Sequence, residues 1–236
     1  GVLEIWFPEL YEMQFLTTKS EYHQEDSVYL HSLMSANACI DMDSKLAALF
    51  HDIGKATKLF QDKINPDIKS EKNYEPYRHE WISLRIFEAF VYSCPQGEVA
   101  NDKEWITRLA DGDFDKIKPT IRDDKTSYNK NPLKDLPPFA QIVGWLILSH
   151  HKLPLFPSWK EEFKGQQPPF SEIEHWFDSK MSALWNSAQC ESDEEKQRLD
   201  SNWHFLALPY QSKKWSAHAI TQISELKDTI LTHLNE

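Results

Sequence analysis

Apolar positions along this chain recur with a helical period far more often than they alternate with period two. Leu46, Leu49, Phe50 and Ile53 fall on one face behind Asp43-Ser44, a pair suited to capping a helix start. That run breaks near Gly54, and a second helical stretch follows from Thr57 to Ile64. Ile82, Ile86, Phe87 and Phe90 repeat at helical spacing within Arg78 to Val91. Pro137-Pro138 opens the next helix, because the amide that proline lacks would have no partner in a first turn. That helix runs to His150-His151, and Pro154 stops its continuation. Ser171 with Glu174, and Ser192 with Glu195, have the capping-box spacing. A last helix covers about Ser216 to Leu234. Polar connections are expected at Asp111 to Asp135 and Lys152 to Pro169. The first has little apolar pattern, so a mobile segment is expected over 111–135. There is no internal repeat, and the expectation is an all-α helical bundle forming a single domain over residues 1–236.

Composition is consistent with a folded domain: 236 residues, 40% hydrophobic and 13% aromatic, are enough to bury a substantial core. The longest apolar run, Phe139 to Leu148, is interrupted by Gln141 and Gly144 and is too short to span a bilayer, so no membrane association is expected. Cys39, Cys94 and Cys190 are odd in number and lack metal-type spacing, which points to a reducing, cytoplasmic setting. A chain that opens on Gly1 rather than Met reads as a fragment or processed form of a longer protein, and a tag remnant would explain it equally. The net charge of -11 argues against a surface that holds nucleic acid unaided. Lys55, Lys58, Lys63 and Lys213-Lys214 read as solvated helix faces, or as the lining of a narrow entry. Ile53-Gly54-Lys55-Ala56-Thr57 lacks the earlier glycine and the adjacent Ser/Thr of a phosphate loop, so no ATP motor is expected in this chain. Trp81, Trp105, Trp145, Trp159, Trp176, Trp185, Trp203 and Trp215 are candidates for base stacking, but their helical settings favour the core.

The candidate chemistry sits at the ends of these predicted helices. His51 and Asp52 close the first, His79 opens the third, and His150-His151 end the fourth. Neutral imidazole suits divalent transition metals, and a carboxylate can join two ions. Adjacent residues diverge by about 100° on a helix, so His150 and His151 can share a site only if the backbone turns at the helix end. Lys55 can serve as a phosphate-binding point charge or as a cation at a helix C-terminus. Glu80 can orient a neighbouring imidazole, although exposure at a helix start is its ordinary reading.

AALFHDIGKATKLFQDKI, YRHEWISLRIFEAF and VGWLILSHHKLP, in that order, resemble the HD superfamily of metal-dependent phosphohydrolases. Within it they look most like the HD nuclease domain of the CRISPR type I helicase-nuclease in its subtype I-F form. The resemblance covers about Leu46 to Pro154. It implies an all-α HD-superfamily bundle that cuts phosphodiester bonds of single-stranded DNA in antiviral defence. By the same resemblance, Asp52 bridges two ions, His51 completes the first, and His79, His150 and His151 hold the second, with Lys55 in the catalytic set. One or two divalent ions are implied; imidazole-rich ligation favours manganese, iron, cobalt or nickel over magnesium. The implied partners are a helicase domain and an adaptation-protein domain of the same polypeptide, the CRISPR surveillance complex, and phage inhibitor proteins. The family pattern adds an early histidine, for which His31 and His23 are candidates, and a late aspartate. Asp200 is the first candidate for the latter, ahead of Asp178 and Asp228, with a position beyond Glu236 as the alternative. Two other functions stay open: a phosphohydrolase acting on free or cyclic nucleotides, and an inactive HD module that serves for docking.

Overall fold

We describe residues 42–65, 67, 76–94, 99–113, 131–152, 184–186, 192, 193, 197, 203 and 213–234 of the chain, as seen in a computed structural model. Helix α1 (Met42–Phe50) is followed by a 3-10 turn (Ile53–Ala56) and a short α2 (Lys58–Ile64). Then come α3 (His79–Val91), α4 (Asp102–Asp111), α5 (Pro138–Ser149) and α6 (Lys213–His233). No strand occurs among the described residues; one isolated antiparallel bridge joins Tyr77 to Asn186. The all-α bundle expected from the sequence is the observed architecture.

Helix α3 is the centre, since every residue from His79 to Val91 is buried and a helix buried all round must be enclosed by its neighbours. α1, α5 and the 3-10 turn pack on it, while α4 and α6 pack against each other. Phe50 of α1 lies edge-on to Phe87 of α3 and Trp215 of α6, which ties the two layers into one core. Trp81, Trp105, Trp185 and Trp215 are all fully buried, and Trp145 and Trp203 pack against the core. Six of the chain's nine tryptophans are thus accounted for by packing; Trp6, Trp159 and Trp176 lie outside the described residues. Gly144 of α5 faces the side-chain ends of Leu133 and Leu84, which an added Cβ would meet at 2.8 Å and 3.0 Å and would have to push aside.

Several elements differ from the sequence expectation. α1 already includes Met42, so Asp43 lies in its first turn, and Ser44, expected as a cap, is buried inside the helix. The last helix starts at Lys213 rather than Ser216. α4 was not anticipated, although its boundaries are marked by local chemistry. The Asn101 side chain accepts from the Glu104 amide at the start, and Gly112 ends the helix at φ 72°. Of the connection at 111–135, Asp111 belongs to α4, and residues 132–135 form turns with Leu133 buried. Residues 114–130 lie outside the described residues, as do the capping boxes at Ser171 and most of that at Ser192.

α4 supplies what its two neighbours lack at their ends. Pro137 offers no side-chain cap to α5. Instead Asp102 accepts from the Phe139 amide (2.9 Å), the Ala140 amide (2.9 Å) and the Trp105 indole (2.8 Å), satisfying donors that a helix N-terminus leaves unpaired. At the other end of α4, Arg108 donates to the Phe90 and Val91 carbonyls at 2.9 and 3.1 Å, closing the C-terminus of α3. Arg108 is itself held by Glu104 and lies over the Phe90 ring.

Candidate metal centre

Helix C-termini end in carbonyls with no amide partner inside the helix, and a histidine placed just beyond one can fold back to supply a donor. His51, just past α1, donates from Nδ1 to the Ala48 carbonyl at 2.8 Å. His150, just past α5, repeats the arrangement with the Ile147 carbonyl at 2.7 Å. A carbonyl only accepts, so each Nδ1 carries the proton and each Nε2 presents a lone pair. The same motif at two helix ends thus aims two imidazoles in the ligating tautomer.

Register between Asp52 and His79 is set by the 3-10 turn lying against the start of α3. The Gly54 amide donates to Ser83 Oγ at 2.8 Å. A Cβ on Gly54 would lie 2.9 Å from the Cα and C of His79 and closer still to its carbonyl oxygen. Only glycine permits this approach. The start of α3 is pinned from its other side by the Arg78 amide, which donates to the Trp185 carbonyl at 2.9 Å.

Asp52 sits at the middle of the resulting cluster and is 1% exposed. Its two oxygens face different groups. Oδ1 lies 3.3 Å from His79 Nε2 and 3.5 Å from His150 Nε2, whereas Oδ2 lies 3.3 Å from His51 Nε2 and accepts from Lys55 Nζ at 2.7 Å. His151 joins the Oδ1 side, its ring 5.0 Å from that of His79 and 4.2 Å from that of His150. Asp52, His79, His150 and His151 each offer one ligand atom, all within 4.8 Å of one another. Donors around one ion at about 2.1 Å stand roughly 3.0 to 3.4 Å apart when adjacent, so the spacings from Asp52 to His79 and His150 are already near this range and the widest must close. His79 Nε2 is buried and makes no hydrogen bond among the described residues, an unfavourable state for a polar atom that an ion would relieve. The donor set and its geometry therefore fit a divalent metal.

The electrostatics prepare these donors. Burial keeps His150 well below the usual imidazole range, at about 4, with the neighbouring His51 and His79 acting in the same sense against the raising effect of Asp52. Burial and the adjacent His150 push His151 down to about 2. Both rings are neutral at pH 7, the form that binds metal. Glu80, for which exposure was the ordinary reading, is instead fully buried. Its Oε2 faces His79 Nδ1 at 3.3 Å, and Arg78 holds the carboxylate through Nε at 3.0 Å and Nη2 at 2.6 Å. Burial acts to raise its pKa, but the charges of His79 and His150 together with Arg78 bring it down to about 2. Glu80 is therefore ionised at pH 7. It stands where a carboxylate orients a ligating imidazole.

The sequence candidates thus divide cleanly. His51, Asp52, Lys55, His79, His150 and His151 come together. Asp228 is exposed on α6 and is not part of the cluster; Asp200, Asp178, His23 and His31 lie outside the described residues. Sequence reasoning did not identify Ser83 or Gly54 as registering groups, although a serine four residues after His79, on the same face of an apolar helix, was a usable signal.

No family model matches the chain. It is similar to "CRISPR-associated nuclease/helicase Cas3 subtype I-F/YPEST" of Pectobacterium atrosepticum, 36% identical over 180 residues that make up 74% of this chain and 16% of that protein. The protein of the same description from Pseudomonas aeruginosa is 48% identical over 115 residues, 46% of this chain and 10% of that protein. The chain therefore spans only a small fraction of the length of the curated relatives it matches.

Proposed function

We propose, for a chain that belongs to the subtype I-F CRISPR-associated nuclease/helicases as a segment of that family's length, that it is their metal-dependent nuclease module. Its reaction is hydrolysis of phosphodiester bonds in single-stranded DNA. The observation that carries this reading is the buried convergence of Asp52, His79, His150 and His151 on one ligand-sized space. When bound, divalent ions there would activate water and stabilise charge on the phosphate oxygens. Manganese, iron, cobalt or nickel suits the three imidazoles better than magnesium does.

The chain's own groups have separable roles. Asp52 Oδ1 with His79, His150 and His151 would hold one ion, while Asp52 Oδ2 with His51 offers the beginning of a second position. Lys55 occupies that second side through its 2.7 Å contact with Oδ2, so it neutralises the carboxylate and leaves a mobile cation for a substrate phosphate. Glu80 and the Ala48 and Ile147 carbonyls hold proton positions on the imidazoles. Asp200 remains a proposed late ligand.

Strand delivery belongs to other parts of the assembly. The relatives are described as nuclease/helicases, and the net charge of -11 repels a phosphate backbone at long range. A helicase domain and an adaptation-protein domain in the same polypeptide, with the CRISPR surveillance complex, are the proposed sources of the strand; phage inhibitor proteins are proposed antagonists. The setting proposed is the cytoplasm, and among the described residues no helix is long and apolar enough to cross a membrane.

The test is cleavage of a labelled single-stranded oligonucleotide, with a free mononucleotide in parallel, across a manganese, cobalt, nickel and magnesium series. Strand cleavage that needs added metal, is blocked by chelator and is lost in Asp52→Ala at unchanged helical content is the expected result. Chelator-resistant cleavage, or activity on the mononucleotide alone, would remove the assignment.

A further inference from the structure

Phe60 is half-buried, yet among the described residues it is neither in the hydrophobic core nor one of the side chains packed against it. Its neighbours are instead those of the metal centre. The ring lies edge-on to His79, centroids 5.5 Å apart, with Lys55 Nζ at 6.0 Å and Lys63 Nζ at 5.9 Å from its centroid. Lys63 is exposed, and Lys55 already touches Asp52 Oδ2.

The helix that carries Phe60 is anchored to the site and not to the core. α2 buries none of its residues. The Thr57 hydroxyl accepts from the Phe60 amide at 3.3 Å, and Gln61 Nε2 donates to the Lys55 carbonyl at 2.7 Å. These contacts fix α2 to the 3-10 turn that also positions Asp52. Lys55 and Lys63 are the cations that lie over the ring, while Lys58 pairs with Asp62 on its own helix.

An aromatic ring held next to a phosphodiester-cleaving centre between two cations matches a single strand's repeat of base and phosphate. Every base has a π-face, so stacking on phenylalanine tolerates any sequence, and lysines contact phosphates as point charges. We infer that Phe60 is the platform on which a base flanking the scissile phosphate stacks, with Lys55 and Lys63 contacting the phosphates on its two sides. The inference rests on the nuclease reading and extends it: the substrate is a polynucleotide strand engaged beyond the cleaved bond, and selection among bases at that position is weak.

The experiment uses the full 236-residue chain with manganese and a single-stranded oligonucleotide of defined cleavage position, comparing wild type with Phe60→Ala and Phe60→Trp. Loss of a stacking platform raises KM about tenfold in Phe60→Ala, acts mainly on KM and not kcat, and is repaired in Phe60→Trp. A single abasic position beside the cleavage site raises KM for wild type and has little further effect on Phe60→Ala. Bound metal, measured by mass spectrometry, is unchanged in both variants. Equal KM in wild type and Phe60→Ala, with wild type cutting the strand, overturns the platform and leaves the nuclease reading standing. Loss of metal in Phe60→Ala overturns it too, because the ring then serves to hold His79. A wild-type chain that binds manganese but cuts no strand fails the nuclease reading, and the inference falls with it.

Discussion

Gly54→Ala tests the claim that the metal centre is set by the fit between the 3-10 turn and α3. The added methyl would lie 2.9 Å from two backbone carbons of His79, whereas carbon atoms rest at about 3.5 to 4.0 Å. The neighbour is backbone in a fully buried helix and has no rotamer to adopt, so the turn must withdraw by on the order of 1 Å. That movement stretches the 2.8 Å bond from Gly54 to Ser83 and carries Asp52 away from His79 Nε2, now 3.3 Å from its Oδ1. Metal ligands tolerate deviations of only about 0.2 Å, so the centre loses affinity well before the fold is lost. We expect destabilisation of about 1 to 3 kcal/mol, the range for overpacking a rigid site, together with a fall of a hundredfold or more in metal affinity. Chemical denaturation in chelator isolates the first effect, and calorimetric titration with manganese or cobalt measures the second. A Gly54→Ala protein with wild-type metal affinity would refute the argument, whatever its stability, because the ligand register would not depend on this contact.

Asp102→Ala removes an acceptor shared by two amides of α5 and the Trp105 indole; a loss of about 2 kcal/mol is expected by urea denaturation, and a change below about 0.5 kcal/mol would show that solvent caps α5 equally well. Glu80→Gln keeps the shape but loses the charge facing His79 Nδ1, so metal affinity should fall roughly tenfold with little change in helical content; unaltered affinity would make Glu80 a partner of Arg78 alone. In the metal-free chain, His150 titrates at about 4 when folded against 6.5 when unfolded. Its contribution is therefore fully present above pH 6.5 and is lost as pH falls toward 4, because only the unfolded state takes up the proton, to an extent on the order of 3 kcal/mol. Denaturation midpoints that stay flat over this window, once carboxylate effects are matched in a His150→Phe control, would contradict that assignment.

What the sequence made legible follows from how strongly local pattern and tertiary demand agree. α1, α3 and α5 announce themselves because each carries a long apolar run into the core, and the ligands adjoin those runs. α4 has few apolar positions, Trp105, Ile106 and Leu109 among Asp, Lys, Glu and Arg, so its cues were polar: Asn101 before the first turn and Gly112 after the last. Glu80 was misjudged for a different reason. Beside a helix start a glutamate is ordinarily solvated, and nothing local records that Arg78 will fold over it or that α3 will be enclosed on every side. The same holds for Gly54, whose need is set by backbone 25 residues away at His79 and not by a turn of its own. Phe60 was read only as part of a helical run, since position along the chain does not distinguish a ring in the core from one beside a metal centre.

The placement of the ligands has a common physical origin. Asp52 with His51, and His151 with His150, lie just past the C-termini of α1 and α5, where helix dipoles favour a cation. His79 comes from the N-terminus of α3, an end that favours negative charge, and there the buried Glu80 carboxylate sits beside it. The cation and the carboxylate that orients its ligand are thus each placed at the helix end whose field suits them. Asp52 would then decide how many ions the centre can hold, because its Oδ1 faces the imidazoles of His79 and His150 while its Oδ2 is shared by His51 and the ammonium of Lys55. An ion on the Oδ1 side would meet the imidazoles of His79 and His150, whereas one on the Oδ2 side would have to displace Lys55 from a 2.7 Å contact. The two positions would consequently be unequal: the first would be set by donors already gathered, and the second would depend on whether a substrate phosphate draws the lysine away.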